Sequence, residues 1–161
     1  MLRDDRAHDG PGQADFTADE WAIMEQAMMA AGVLVSLAEG GVDADEIFAL
    51  VKKLREASIA HPRRFIRELA AASAFSTGLR AGARYADYEA PALAAIRAAT
   101  AIIAGKAPAE LPGFRLFLAE IAMVVADANK EGGFFGVGAH RRTRDEAAAI
   151  GAVSRATGLE G

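Results

Sequence analysis

Pro112-Gly113-Phe114-Arg115-Leu116-Phe117-Leu118-Ala119-Glu120-Ile121-Ala122-Met123-Val124-Val125-Ala126-Asp127-Ala128 decides the fold class. Phe114, Phe117, Leu118, Ile121, Val124, Val125 and Ala128 recur at spacings of three and four, which places them on one broad stripe of an α-helix. Proline at the head of such a run has the φ that a first helical turn needs and lacks only an N–H that would have no partner there. Nowhere does the chain alternate with period two for long enough to build a sheet. The class is all-α, a single bundle of about five to seven helices.

The other helices follow from similar signals. Thr17-Ala18-Asp19-Glu20 is a capping box with Phe16 in the staple position before it. The helix it opens carries Trp21, Met24, Met28, Ala31 and Val35 on one face and stops near Gly40-Gly41. Asp43-Ala44-Asp45-Glu46 opens the next, with Ile47, Leu50, Val51 and Leu54 inward. Pro62 heads a third (Phe65, Ile66, Leu69). Gly78 and Gly82 weaken the stretch from Phe75 to Tyr88, and Pro91 is expected to begin a fresh segment carrying Leu93, Ile96, Thr100 and Ile103, closed by Gly105 and Pro108. A glycine-rich loop, Gly132 to Gly138, separates the Pro112 helix from a last one, which Thr143-Arg144-Asp145-Glu146 opens and Gly158 ends. Residues 1 to 15, broken by Asp9-Gly10-Pro11-Gly12, read as a disordered arm, and residues 16 to 161 as one helical domain.

Composition bounds the function classes. The 161 residues carry a net charge of −4, and a mildly acidic chain lacks the basic face that nucleic acid needs. No cysteine is present, which excludes disulfides, thiolate metal sites and cysteine nucleophiles. The longest stretch free of charge, Gln26 to Ala38, is 13 residues, short of the roughly 18 of a membrane span. A polar, charged start without an apolar segment is not a secretory signal, so a soluble, cytoplasmic protein is expected. The chain holds 39 alanines, which favour closely packed helices.

Two loops carry candidate chemistry. Glu39, Asp43, Asp45 and Glu46 surround a sharp turn and offer oxygen ligands to a divalent cation, with Glu39, Asp43 and Glu46 as the set; the spacing is not that of an EF-hand. The simpler reading makes Asp43 a helix cap, Glu46 its box partner and Asp45 a complement to the helix dipole. His140, Arg141 and Arg142, between the glycine loop and a helix start, offer an anion site for a phosphate or carboxylate. Its simpler reading is a connector, with Phe134 and Phe135 plugging the core. His61, Arg63, Arg64 and Arg67 either meet an acidic partner or solvate a helix start. Tyr85, Asp87, Tyr88 and Glu89 either line a pocket or lie on the surface. No hydroxyl or histidine stands in a catalytic pattern, so no enzyme is expected.

The stretch Ala38-Glu39-Gly40-Gly41-Val42-Asp43-Ala44-Asp45-Glu46-Ile47 resembles the TerB-like (tellurite-resistance) helical family, whose members end a helix in Ala-Asp-Gly-x-Ile/Val-Asp/Ser-x-x-Glu. Here Glu39 replaces the usual Asp, while Gly40, Val42, Asp43 and Glu46 fit. Thr143-Arg144-Asp145-Glu146, running to Ile150 and Thr157-Gly158-Leu159, looks like a second copy in which the acidic step is replaced by the longer Gly132–Arg142 loop. The resemblance covers about residues 17–60 and 112–160. It implies two pseudo-twofold-related helix–Gly loop–helix units, a stress- or tellurite-related role and acidic residues that bind metal. The leading expectation is therefore a non-enzymatic binding or scaffold domain with weak divalent-cation binding. The alternatives are a small-molecule or anion-binding bundle that uses the Gly132–Arg144 loop, and a structural homodimer.

Overall fold

The computed structural model describes residues 10–38, 40–73, 84–131 and 144–159. Among these residues six α-helices follow in order: α1 (Ala18–Leu37), α2 (Ala44–Ala60), α3 (Arg64–Ser73), α4 (Tyr85–Lys106), α5 (Leu111–Glu131) and α6 (Arg144–Thr157). Short 3-10 turns at Gln13–Asp15 and Pro108–Glu110 precede α1 and α5, and the described residues contain no strand. None of the helices is long and apolar enough to cross a membrane among the described residues.

The Thr17 box forms as expected: Glu20 N–H donates to Thr17 Oγ1 (3.2 Å) and Thr17 N–H to Glu20 Oε2 (2.9 Å). Beyond it, α1 differs from the one-faced helix of the sequence reading. From Ala27 to Leu37 every residue is buried. A run of Ala, Met, Gly, Val and Leu has no polar side until Ser36, and a helix apolar all round must be covered all round. Accordingly α1 packs against each of the other five helices, most extensively α4. Gly32 is the point of closest approach. A Cβ there would lie 2.7 Å from Leu50 Cδ1 of α2 and 3.2 Å from Ile121 Cγ2 of α5.

The fully buried Phe114, Phe117, Leu118, Ile121 and Val125 form the inner stripe of α5, as the quoted stretch requires. The second helix of each expected unit reaches across to the first helix of the other: α2 packs on α5, and α6 packs on α1 as well as on α5.

Two expectations need correction. Pro91 does not start a segment; it lies inside α4. It cannot donate to the carbonyl of Asp87, yet both residues are exposed, and burial of Ala92, Ile96, Ala99 and Ile103 offsets the lost bond. Of the expected disordered arm, residues 1–9 lie outside the described residues, while the remainder is a docked turn. Gly12 N–H donates to Asp15 Oδ2 (2.8 Å), Gln13 N–H donates to Glu68 Oε2 of α3 (2.7 Å), and the Phe16 ring then packs at a tilt against Trp21 and Phe65 at 5.8 and 5.7 Å.

Candidate functional site

The acidic turn between α1 and α2 is tied into the fold. Asp43 caps α2, its Oδ1 accepting from the N–H groups of Asp45 (2.8 Å) and Glu46 (3.3 Å). Glu46 is 2% exposed and does something the local reading missed. Its carboxylate turns inward, and Oε2 accepts the hydroxyl of Ser36 on α1 at 2.6 Å. The Ser36 oxygen in turn accepts the Asp43 N–H at 3.3 Å. Ser36 thus gives a donor to a carboxylate that would be costly to bury alone and also pins the turn. Glu39 lies outside the described residues, among which no group of three Asp, Glu or His side chains could hold a metal ion.

His140, Arg141 and Arg142, with the whole Gly132–Gly138 loop and Thr143, also lie outside the described residues. The basic segment after α2 lies at the surface but is bonded into the fold. His61 Nδ1 accepts the Arg63 N–H (3.1 Å), Arg67 donates to the carbonyls of His61 and Pro62, and Arg63 pairs with buried Glu110 at 3.2 Å. Burial lowers the His61 pKa, while the charge of Glu120 opposes that shift. These residues close the α2–α3 turn and fasten it to the turn before α5.

The ends of three helices meet in a cleft of about 450 Å³. Leu37, Ala38 and Gly40 bring the end of α1, Tyr85 the start of α4, and Asp145 and Ala148 the start of α6. The acidic turn and the start of α6, sequence candidates a hundred residues apart, therefore border one hollow. Tyr85, flagged in the sequence with its neighbours, lines it, and its hydroxyl donates to Glu89 Oε1 (3.2 Å). Burial, and then the charge of Glu89, raises the Tyr85 pKa, so the phenol stays a neutral donor at physiological pH. Arg84 stands at the rim, ion-paired with Asp87 at 3.3 Å. Tyr88 instead packs against the core. The walls are mostly aliphatic, with a phenol, a guanidinium and a carboxylate at the edges.

The outer surface has a second distinguishing feature. Phe48 and Ile59 on α2 are 70% and 82% exposed, and Leu116 on α5 is 58% exposed. Phe48, Lys52, Arg55 and Ile59 share one outward stripe of α2 by their spacing of three and four.

Compared with models of known protein families, with curated proteins and with solved structures, the chain matches none.

Proposed function

We propose that the chain is a non-catalytic helical binding domain of the TerB-like type that takes a small, mostly apolar molecule with a polar end in the cleft between α1, α4 and α6. The observation that carries this reading is the cleft itself. Its volume of about 450 Å³ falls inside the roughly 300–1,000 Å³ of small-molecule sites, and its few polar groups stand around an aliphatic wall. Helix ends hold those groups more rigidly than loops would. A stress- or tellurite-related role is what the resemblance adds. A divalent cation at Glu39, Asp43 and Glu46 is the weaker part of this proposal. Asp43 and Glu46 already accept hydrogen bonds that a hard cation, which binds through those same oxygens, would have to displace.

The test is a thermal-shift screen of small molecules and divalent cations on the wild type and on Ala148→Trp, a substitution at an exposed residue that fills the cleft. A ligand at about 100 times its dissociation constant stabilises the native state by roughly 2.7 kcal/mol. The expected result is a small-molecule shift that Ala148→Trp abolishes. A screen without any such shift, or a shift that the variant keeps, contradicts the reading.

A second reading, a homodimer or other protein contact through α2, is favoured by the exposed Phe48 and Ile59. Sedimentation velocity separates the two. On this second reading the wild type sediments as a dimer and a Phe48→Ser/Ile59→Ser double variant as a monomer; a monomeric wild type removes self-association.

A further inference from the structure

α2 buries Glu46, Leu50, Leu54 and Ala57, and the opposite side of the helix belongs to Phe48, Lys52, Arg55 and Ile59, all four exposed. The outer side of a surface helix needs no apolar residue to hold the fold. Yet Ile59 and Phe48 are the two most exposed large apolar residues among those described. They stand at the ends of the stripe, eleven residues and so about 16 Å apart, with two cations between them. Lys52 and Arg55 have no ion pair among the described residues, whereas the neighbouring Lys53 is joined to Glu120 of α5 at 3.3 Å.

The order of these four residues selects among the surfaces that could cover them. A second copy would lay α2 against α2. About a twofold axis at the middle of the stripe, Phe48 meets Ile59 of the copy, but Lys52 then meets Arg55, and like charges face each other twice. A parallel pairing sets Lys52 on Lys52 instead. A flat anionic bilayer would meet more than the stripe, because exposed Glu56 lies beside it and lines the hollow between α2 and α5 with Asp127. A single helix, about 10 Å wide, covers the stripe alone. With apolar residues at its ends and carboxylates between them, it answers all four positions at once.

We propose that the outer stripe of α2 docks an acidic amphipathic helix of a partner protein. Two apolar residues of that helix pack on Phe48 and Ile59, and its carboxylates pair with Lys52 and Arg55. The apolar ends supply most of the affinity and the charges select the partner. This inference rests on the second reading above, α2 as a contact face, and takes its partner-protein branch rather than the homodimer. It is independent of the cleft and survives its failure.

Selection from a displayed library of helical peptides, varied among Glu, Lys, Gln, Leu and Phe along one face, tests it with the full chain as bait. The wild type is expected to enrich peptides with two apolar residues about three turns apart and Glu between them. Lys52→Glu/Arg55→Glu should enrich Lys at those central positions instead, and Phe48→Ser/Ile59→Ser should enrich neither. All four positions are exposed, so both variants should keep the far-ultraviolet dichroism of the wild type. In fluorescence polarisation the best wild-type peptide should bind either variant at least about tenfold more weakly, and the wild type more weakly as salt rises. No enrichment beyond that of Phe48→Ser/Ile59→Ser overturns the proposal. The same peptides enriched by the wild type and by Lys52→Glu/Arg55→Glu overturn the acidic helix while leaving α2 a contact face. A wild-type dimer in sedimentation that Phe48→Ser/Ile59→Ser abolishes makes a second copy the occupant and overturns it too. So does binding to phosphatidylserine vesicles that is tighter than to any peptide and lost in Lys52→Glu/Arg55→Glu.

Discussion

Phe65→Ala is expected to lower the unfolding free energy by about 3–5 kcal/mol, the cost of emptying a fully buried aromatic site in a core that collapses only in part. Phe65 is inaccessible to solvent and stands at the meeting point of three segments. Its ring lies 6.0 Å from Trp21 of α1, edge to face, and 5.7 Å from Phe16. Removing it deprives Phe16 of one support and loosens the docked turn before α1, so the loss exceeds that of one side chain's transfer. For a chain of this length the melting midpoint should fall by roughly 6–20 °C. Urea unfolding followed by the single tryptophan measures the change, with Phe48→Ala as the control. Phe48 is 70% exposed, and its loss should lie within about 0.5 kcal/mol of zero. A Phe65→Ala change below about 1 kcal/mol would mean that the ring cluster is not part of the core.

Gly32→Val is expected to cost about 3 kcal/mol through overpacking at the crossing of α1 with α2 and α5. The Cβ alone would fall 2.7 and 2.9 Å from the two methyls of Leu50. Those methyls end a flexible side chain and can turn away for an alanine, and alanine also gains up to about 1 kcal/mol of helix propensity over glycine. Gly32→Ala should therefore cost far less. The two γ-methyls of valine reach further, toward Ile121 as well, and helix axes rather than side-chain ends must move. Shortening the neighbour tests the mechanism directly: the Gly32→Val loss should shrink in a Leu50→Ala background, the coupling expected of residues in contact. Equal losses in both backgrounds would contradict the close approach.

What the sequence made legible is what a few neighbouring residues decide. The Thr17 box, the Asp43 cap, the α5 stripe and the Gly158 stop each depend on groups within one or two turns, and each stands where the local chemistry put it. At Pro91 the local penalty is outweighed by tertiary burial along α4, which no neighbouring residue signals. The inward turn of Glu46 has no local signal, because the serine it meets lies ten residues back on another helix. The first cleft escaped for the same reason. Leu37, Tyr85 and Asp145 share no pattern along the chain; only the packing of α1, α4 and α6 brings them together. The aromatic and acidic cluster after Arg84 was the one linear hint of the first cleft. Glu39, His140, Arg141 and Arg142 lie outside the described residues.

The most direct measurement is an amide-resolved NMR titration of the full chain with the best small molecule from the thermal screen. Shifts are expected to concentrate on Leu37, Ala38, Gly40, Tyr85 and Ala148, with Asp43 and Glu46 following only weakly. Shifts confined to other surfaces, with those five amides unmoved, would contradict it.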